Sequence, residues 1–131
     1  MILVVGEEGL LWQFQKSGTE PESKYREWFK SQEDFSLGQC QFVKVESDVW
    51  IANLIGQHKI HKDESGNAPI RYEAIAIGLE KVAQFASEKL ATVHMPRIGC
   101  GLAGGSWDKI EPLIHKFLSE KDIETYVYDF N

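Results

Sequence analysis

The sequence predicts an α/β domain built on a mixed, mostly parallel sheet with helices on both faces, and three observations carry that expectation. Apolar, β-branched runs alternate with segments of helical period through the second half of the chain. The run VWIANLI, Val49 to Ile55, is apolar at nearly every position, as a strand covered on both faces requires. A glycine-rich turn, Ile98 to Gly105, joins a strand to a helix. The order strand, helix, strand, glycine turn, helix, strand implies right-handed crossovers.

The elements follow in order. Met1 to Val5 is a strand stopped by Gly6 and the acidic pair Glu7 and Glu8. Gly9 to Thr19 holds scattered Leu10, Leu11, Trp12 and Phe14 and reads as a short helical turn or an irregular loop. Pro21 opens a helix to Gln32, where Tyr25, Trp28 and Phe29 make an aromatic core stripe. Leu37 to Val45 and Asp48 to Ile55 are strands, and Gly56 to Ala68 is a polar surface loop. In the helix Ile70 to Lys89, residues Tyr72, Ile75, Ala76, Leu79, Val82, Ala83 and Ala86 share one face. Ala91 to Pro96 and Thr125 to Phe130 are strands. Between them lies a helix with Ile110, Leu113, Ile114, Phe117 and Leu118 on one side. With Asp108 as its N-cap, Pro112 falls in the first turn at little cost; with Ser106 as the cap, a kink is expected.

At 131 residues the chain is one domain. Its 43% hydrophobic and 26% charged residues suffice for a buried core and exclude disorder as the main state. No apolar run approaches the roughly 20 residues that span a bilayer, and the start has no leader pattern, so a soluble cytoplasmic protein is expected. The 14 Lys and Arg against 20 Asp and Glu leave a net charge of −6. Neither a nucleic-acid surface nor a membrane partner is expected of such a chain, and any anionic ligand must be held by backbone N–H groups. Cys40 and Cys100 are far apart and read as reduced thiols. No spacing of His, Cys, Asp or Glu makes a metal site, and no cofactor is expected.

Ligands of open α/β sheets settle beyond the carboxyl ends of strands. Two segments leave such ends: Gly56, Gln57 and His58, and the run Arg97, Ile98, Gly99, Cys100, Gly101, Leu102, Ala103, Gly104 and Gly105. The glycines let backbone approach a ligand, and the run empties into a helix N-terminus that favours a phosphate or diphosphate. His58 has a pKa suited to a base acting on bound water, or it makes a surface or structural hydrogen bond. Cys100 is a nucleophile if the helix end lowers its pKa, but a small residue needed for packing is the plainer reading. Arg97 orders the loop or touches a phosphate, and Trp107 stacks on a ligand or caps the core. His94 reads as a sheet residue, and His61 and His115 as surface.

The segments VHMPRIGCGLAGGSW (Val93 to Trp107), ANLIGQH (Ala52 to His58), IRYEAI (Ile70 to Ile75) and TYVYDF (Thr125 to Phe130) resemble macro domains. They are most similar to bacterial single-domain members of the branch that includes the terminal ADP-ribose glycohydrolase and a chromatin-remodeller macro domain. The resemblance covers residues 20 to 130 and implies a three-layer α/β/α fold. It also implies binding of ADP-ribose or a related nucleotide, with the Gly99 to Gly105 loop around the diphosphate and distal ribose.

The chain departs from that pattern twice. Residues 1 to 19 are a divergent or shortened version of the family's N-terminal part. There Gly6-Glu7 stands in for a Gly-Asp that holds the adenine, or the stretch is a cut-down ribose loop. The glycohydrolase lysine and aspartate fall at Gln57 and Ala103, which can supply neither an amine nucleophile nor an acid or base. Binding is therefore the first reading. The second is a hydrolase acting on ADP-ribosylated protein or an ADP-ribose derivative. The third is a degenerate domain that serves as an interaction module or homodimerises through an exposed sheet edge.

Overall fold

A computed structural model describes residues 2–6, 27, 37–56, 71–99 and 105–129. The strands are β1 (Ile2–Gly6), β2 (Cys40–Glu46), β3 (Val49–Leu54), β4 (Thr92–Pro96) and β5 (Thr125–Tyr128). Helix α1 (Tyr72–Lys89) joins β3 to β4, and α2 (Trp107–Phe117) with a 3-10 turn at Ser119–Lys121 joins β4 to β5. The sheet order is β2-β3-β1-β4-β5.

This is the expected mixed α/β sheet, but it is not mostly parallel. Only β4 and β5 pair in parallel, whereas β2 with β3, β1 with β3 and β1 with β4 are antiparallel. Two causes account for the difference. Ser47 and Asp48 form a two-residue hairpin turn, with Glu46 opposite Val49 and Asp48 at φ 64°, a left-handed conformation that aspartate tolerates. Strand β1 is inserted between β3 and β4 and runs against both, with Ile2 opposite Asn53 and Val4 opposite His94. In consequence β3, β4 and β5 point the same way and deliver their carboxyl ends to one end of the sheet.

The period of two along the strands divides the burial. Leu3 and Val5, Ala52 and Leu54, and Val93 and Met95 face one side and form a single core with α1 and α2. The alternate residues Val4, Ile51 and His94 face the other side and are also buried. Both described helices therefore lie on one face. The helix expected over 21–32 falls outside the described residues except for Glu27, which is helical. The stretches 7–19 and 57–70 lie outside them as well.

Helix α1 forms because its buried residues recur at helical spacing: Ala74 and Ile75, Gly78 and Leu79, Val82 and Ala83, then Ala86. Full burial of Ile75, Leu79 and Val82 contributes about 2 kcal/mol each. The helix stops at Leu90, whose left-handed backbone turns the next N–H, that of Ala91, back onto the Ala86 carbonyl at 2.9 Å. Helix α2 starts from Ser106 rather than Asp108, so Pro112 stands inside the helix and brings no N–H for the Asp108 carbonyl. Among the described residues no helix is long and apolar enough to cross a membrane.

Candidate functional site

The strand ends carry two loops whose bases are closed by backbone hydrogen bonds. Beyond β3 the ladder with β2 continues through Gly38 N–H to the Ile55 carbonyl (2.8 Å) and Ile55 N–H to that of Gln39 (3.0 Å). Gly56 is buried, and its carbonyl accepts the Arg71 N–H at 2.9 Å, which ties the start of α1 to the end of β3. Beyond β4, Ile98 is buried and Gly99 takes φ 76°, where a side chain is strained. The Gly105 N–H donates to the Gly99 carbonyl at 2.7 Å, which holds these two glycines together.

Gly105 and Ser106 lead directly into α2. Lys109 and Ile110 N–H both bond the Ser106 carbonyl, at 3.0 and 3.1 Å. The Trp107 and Asp108 N–H groups thus precede the first intrahelical bond, at the positive end of the helix dipole. The Ser106 N–H is held separately, donating to the Tyr72 hydroxyl oxygen at 3.1 Å.

The shoulder of the site is built by Arg97. Its guanidinium lies 5.5 Å from the Trp107 ring centroid, and Nη2 is 3.6 Å from Asp129 Oδ2 at the end of β5. Both partners of this ion pair are about half exposed, so its direct contribution to stability is small. The Trp107 indole N–H donates to Glu111 Oε2 at 2.9 Å while the ring packs against the core. Arg97 thus spans the first residue of α2 and the residue that follows β5, and Trp107 lies between Arg97 and the core.

Of the residues singled out in the sequence, Gly56, Arg97, Ile98, Gly99 and Gly105 meet at this one end of the sheet. Gln57, His58, Cys100, Gly101, Leu102, Ala103 and Gly104 lie outside the described residues, as does Glu7. His94 is a sheet residue, as its alternation indicates, but its surroundings are more specific than alternation reveals. Its Nδ1 is 2.8 Å from the Tyr128 hydroxyl and its Nε2 is 2.7 Å from the Thr92 hydroxyl, and the ring stacks on Tyr126. The single Thr92 hydroxyl proton goes to the Gly6 carbonyl, so toward Nε2 of His94 the Thr92 oxygen accepts.

Tyr72 is the residue that sequence reasoning placed only as core. The available signal is a hydroxyl-bearing ring at the first position of a helix, since such a hydroxyl needs a partner. Cys40 is chemically quiet: its thiol donates to the Gly78 carbonyl at 3.4 Å, and burial pushes its pKa up to about 12 despite the Lys81 ammonium. A groove of about 400 Å³ between α1 and the segment after α2, lined by Glu80, Gln84, Phe117, Lys121 and Ile123, lies away from the strand ends. Among the described residues no group of three or more His, Cys, Asp or Glu side chains is placed to hold a metal ion.

No protein-family model matches the chain. It is 31% identical over 132 residues to the mouse chromodomain-helicase-DNA-binding protein 1-like and 29% identical over 130 residues to the zebrafish protein of the same name. The chain spans only 14% and 12% of the length of those proteins. Among solved structures, a Bacteroides thetaiotaomicron protein of unknown function is 50% identical, with a TM-score of 0.86 over 94% of this chain and 78% of that one. A second crystal structure from the same organism is 49% identical, with a TM-score of 0.85 over 94% of this chain and 80% of that one. A macrodomain protein from Streptomyces coelicolor is 44% identical, with a TM-score of 0.74 over 95% of this chain and 79% of that one. Identity of that order along nearly the whole chain, together with the glycine loop closed ahead of α2, shows that the chain belongs to the macro domain family.

Proposed function

We propose that this chain binds ADP-ribose, or a related ADP-ribose-containing nucleotide, at the sheet end where β3 and β4 finish. The observation that carries the reading is the Gly99 to Gly105 closure immediately ahead of the α2 N-terminus, in a chain of a family that generally binds ADP-ribose. A diphosphate carries concentrated charge, and the chain is itself acidic, so attraction must come from oriented N–H groups at short range. The Trp107 and Asp108 N–H groups, with those of the glycine run, take that role. Gly56, Gln57 and His58, the segment that follows β3, are the second set of ligand contacts in this reading. The replacement of the glycohydrolase lysine and aspartate by Gln57 and Ala103 favours binding over turnover by that route.

Isothermal titration calorimetry with ADP-ribose, and with AMP and ADP as controls, tests this directly. The expected result is binding tighter than about 100 μM, roughly −5.5 kcal/mol, and tighter than either control. No heat at concentrations that detect such affinity refutes the reading. Incubation with ADP-ribosylated protein, followed by chromatography, is expected to release no ADP-ribose; release would establish the hydrolase reading instead.

A further inference from the structure

We propose that Tyr72 is a positioning residue: through its hydroxyl it holds the exit of the glycine loop in register with the loop that leaves β3. The inference rests on the proposed function only for the identity of the ligand. The mechanical part stands on the geometry.

Tyr72 is the first residue of α1 and follows Arg71, whose N–H closes the first loop on the Gly56 carbonyl. Its own oxygen accepts the Ser106 N–H, and the next residue back, Gly105, closes the second loop on Gly99. The Lys109 ammonium of α2 sits 5.6 Å from the Tyr72 ring centroid, and the ring packs at the margin of the core. Three hydrogen bonds in succession thus run from the base of one loop to the base of the other, and the middle one is made by a side chain.

A tyrosine that merely capped the core would leave its oxygen to water, and phenylalanine would serve as well. Here the oxygen satisfies a backbone donor at a helix N-terminus, which has two effects. It fixes where the α2 N-terminus stands relative to the end of β3. It also withdraws the Ser106 N–H from any anion, so that the donors the helix end itself offers to a ligand begin at Trp107.

The test is Tyr72→Phe, which keeps the ring, the helix start and the Lys109 contact and deletes only the acceptor. Amide hydrogen exchange without ligand reads the strut, and ADP-ribose titration reads its consequence. In the variant, the Ser106 and Gly105 amides are expected to exchange about tenfold faster, while core amides such as that of Val82 keep their wild-type rates. A general loss of stability would speed both sets together. ADP-ribose affinity is expected to fall roughly three- to tenfold, the effect of one hydrogen bond. Unchanged exchange at Ser106 overturns the proposal whatever the ligand does. Faster exchange with unchanged ADP-ribose affinity overturns the positioning role. If the wild-type protein binds no ADP-ribose, the proposed function fails, and the exchange comparison alone still decides whether Tyr72 is the strut.

Discussion

Gly78 offers a quantitative test of how α1 sits on the sheet. A Cβ built on this glycine would lie 2.5 Å from both Cγ and Cδ1 of Leu54 and 3.0 Å from Cδ2. Comfortable carbon contacts are about 3.5–4.0 Å. Leu54 is the last residue of β3 and is 1% exposed, so it cannot swing out to make room. In Gly78→Ala, overpacking should cost about 2–3 kcal/mol, against which the better helix propensity of alanine returns about 1 kcal/mol. The net expectation is a loss of about 1–2 kcal/mol. Leu54→Ala alone should cost about 3 kcal/mol through the cavity it leaves. In that background the clash is gone, and Gly78→Ala should become stabilising by about 1 kcal/mol. The same substitution thus changes sign with its neighbour, a coupling of about 2–3 kcal/mol. Urea unfolding of the four proteins, followed by far-ultraviolet circular dichroism, measures it from the midpoints if the slopes agree. Gly78→Ala stabilising the wild-type background, or the two changes adding to within about 0.5 kcal/mol, would refute the close approach of α1 to β3.

Three further perturbations follow from single contacts. Because burial raises the Cys40 pKa from 9.0 to about 12, the unfolded chain releases a proton between those pH values that the folded chain keeps. Stability should then fall with rising pH in that window by about 1.4 kcal/mol per unit relative to Cys40→Ala, whereas parallel curves for the two proteins would rule this out. Tyr128→Phe removes the hydroxyl that meets Nδ1 of His94, a residue 1% exposed, and should cost about 1–2 kcal/mol in urea unfolding. Tyr126→Phe, which loses an exposed bond to Glu124, should cost less than about 0.5 kcal/mol, and equal losses would contradict the assigned roles. Leu90 adopts φ 53°, ψ 42° at the C-cap of α1 and is 95% exposed. Leu90→Gly should raise stability by about 0.5–1 kcal/mol, since relief of left-handed strain exceeds the added unfolded-state entropy; a thermal melt no higher than that of wild type would show otherwise.

What the sequence made legible, and what it hid, divides by the range of the interaction concerned. The α1 stripe from Ile75 to Ala86 and the buried run of β3 rest on periods that each segment carries within itself, and both appear as expected. Strand direction does not rest on such periods. The place of β1 between β3 and β4 depends on pairing Val4 with His94 and Ile51, residues far apart in the chain. Its apolar run fits either orientation equally well. The β2–β3 hairpin was within reach of local reading, since Ser47 and Asp48 interrupt two apolar runs. Assigning Asp48 to the following strand concealed the turn.

The site follows the same division, and this bears on where its function resides. Gly56, Gly99 and Gly105 announce a backbone requirement by residue type; the Gly105 N–H bonds the Gly99 carbonyl, and the Gly56 carbonyl takes the Arg71 N–H. The choice of Ser106 over Asp108 as the cap of α2 could not be read locally. Both residues are good caps by type. The Ser106 side chain makes no capping bond at all, while its N–H is taken by Tyr72, 34 positions earlier. The groups proposed to hold the diphosphate are backbone N–H groups, which every residue but proline possesses and no sequence pattern displays. What selects among them is the geometry imposed by Tyr72, Arg71 and the Gly99–Gly105 closure. A change that leaves every glycine in place but loosens that frame should therefore weaken binding as much as a change in the loop itself.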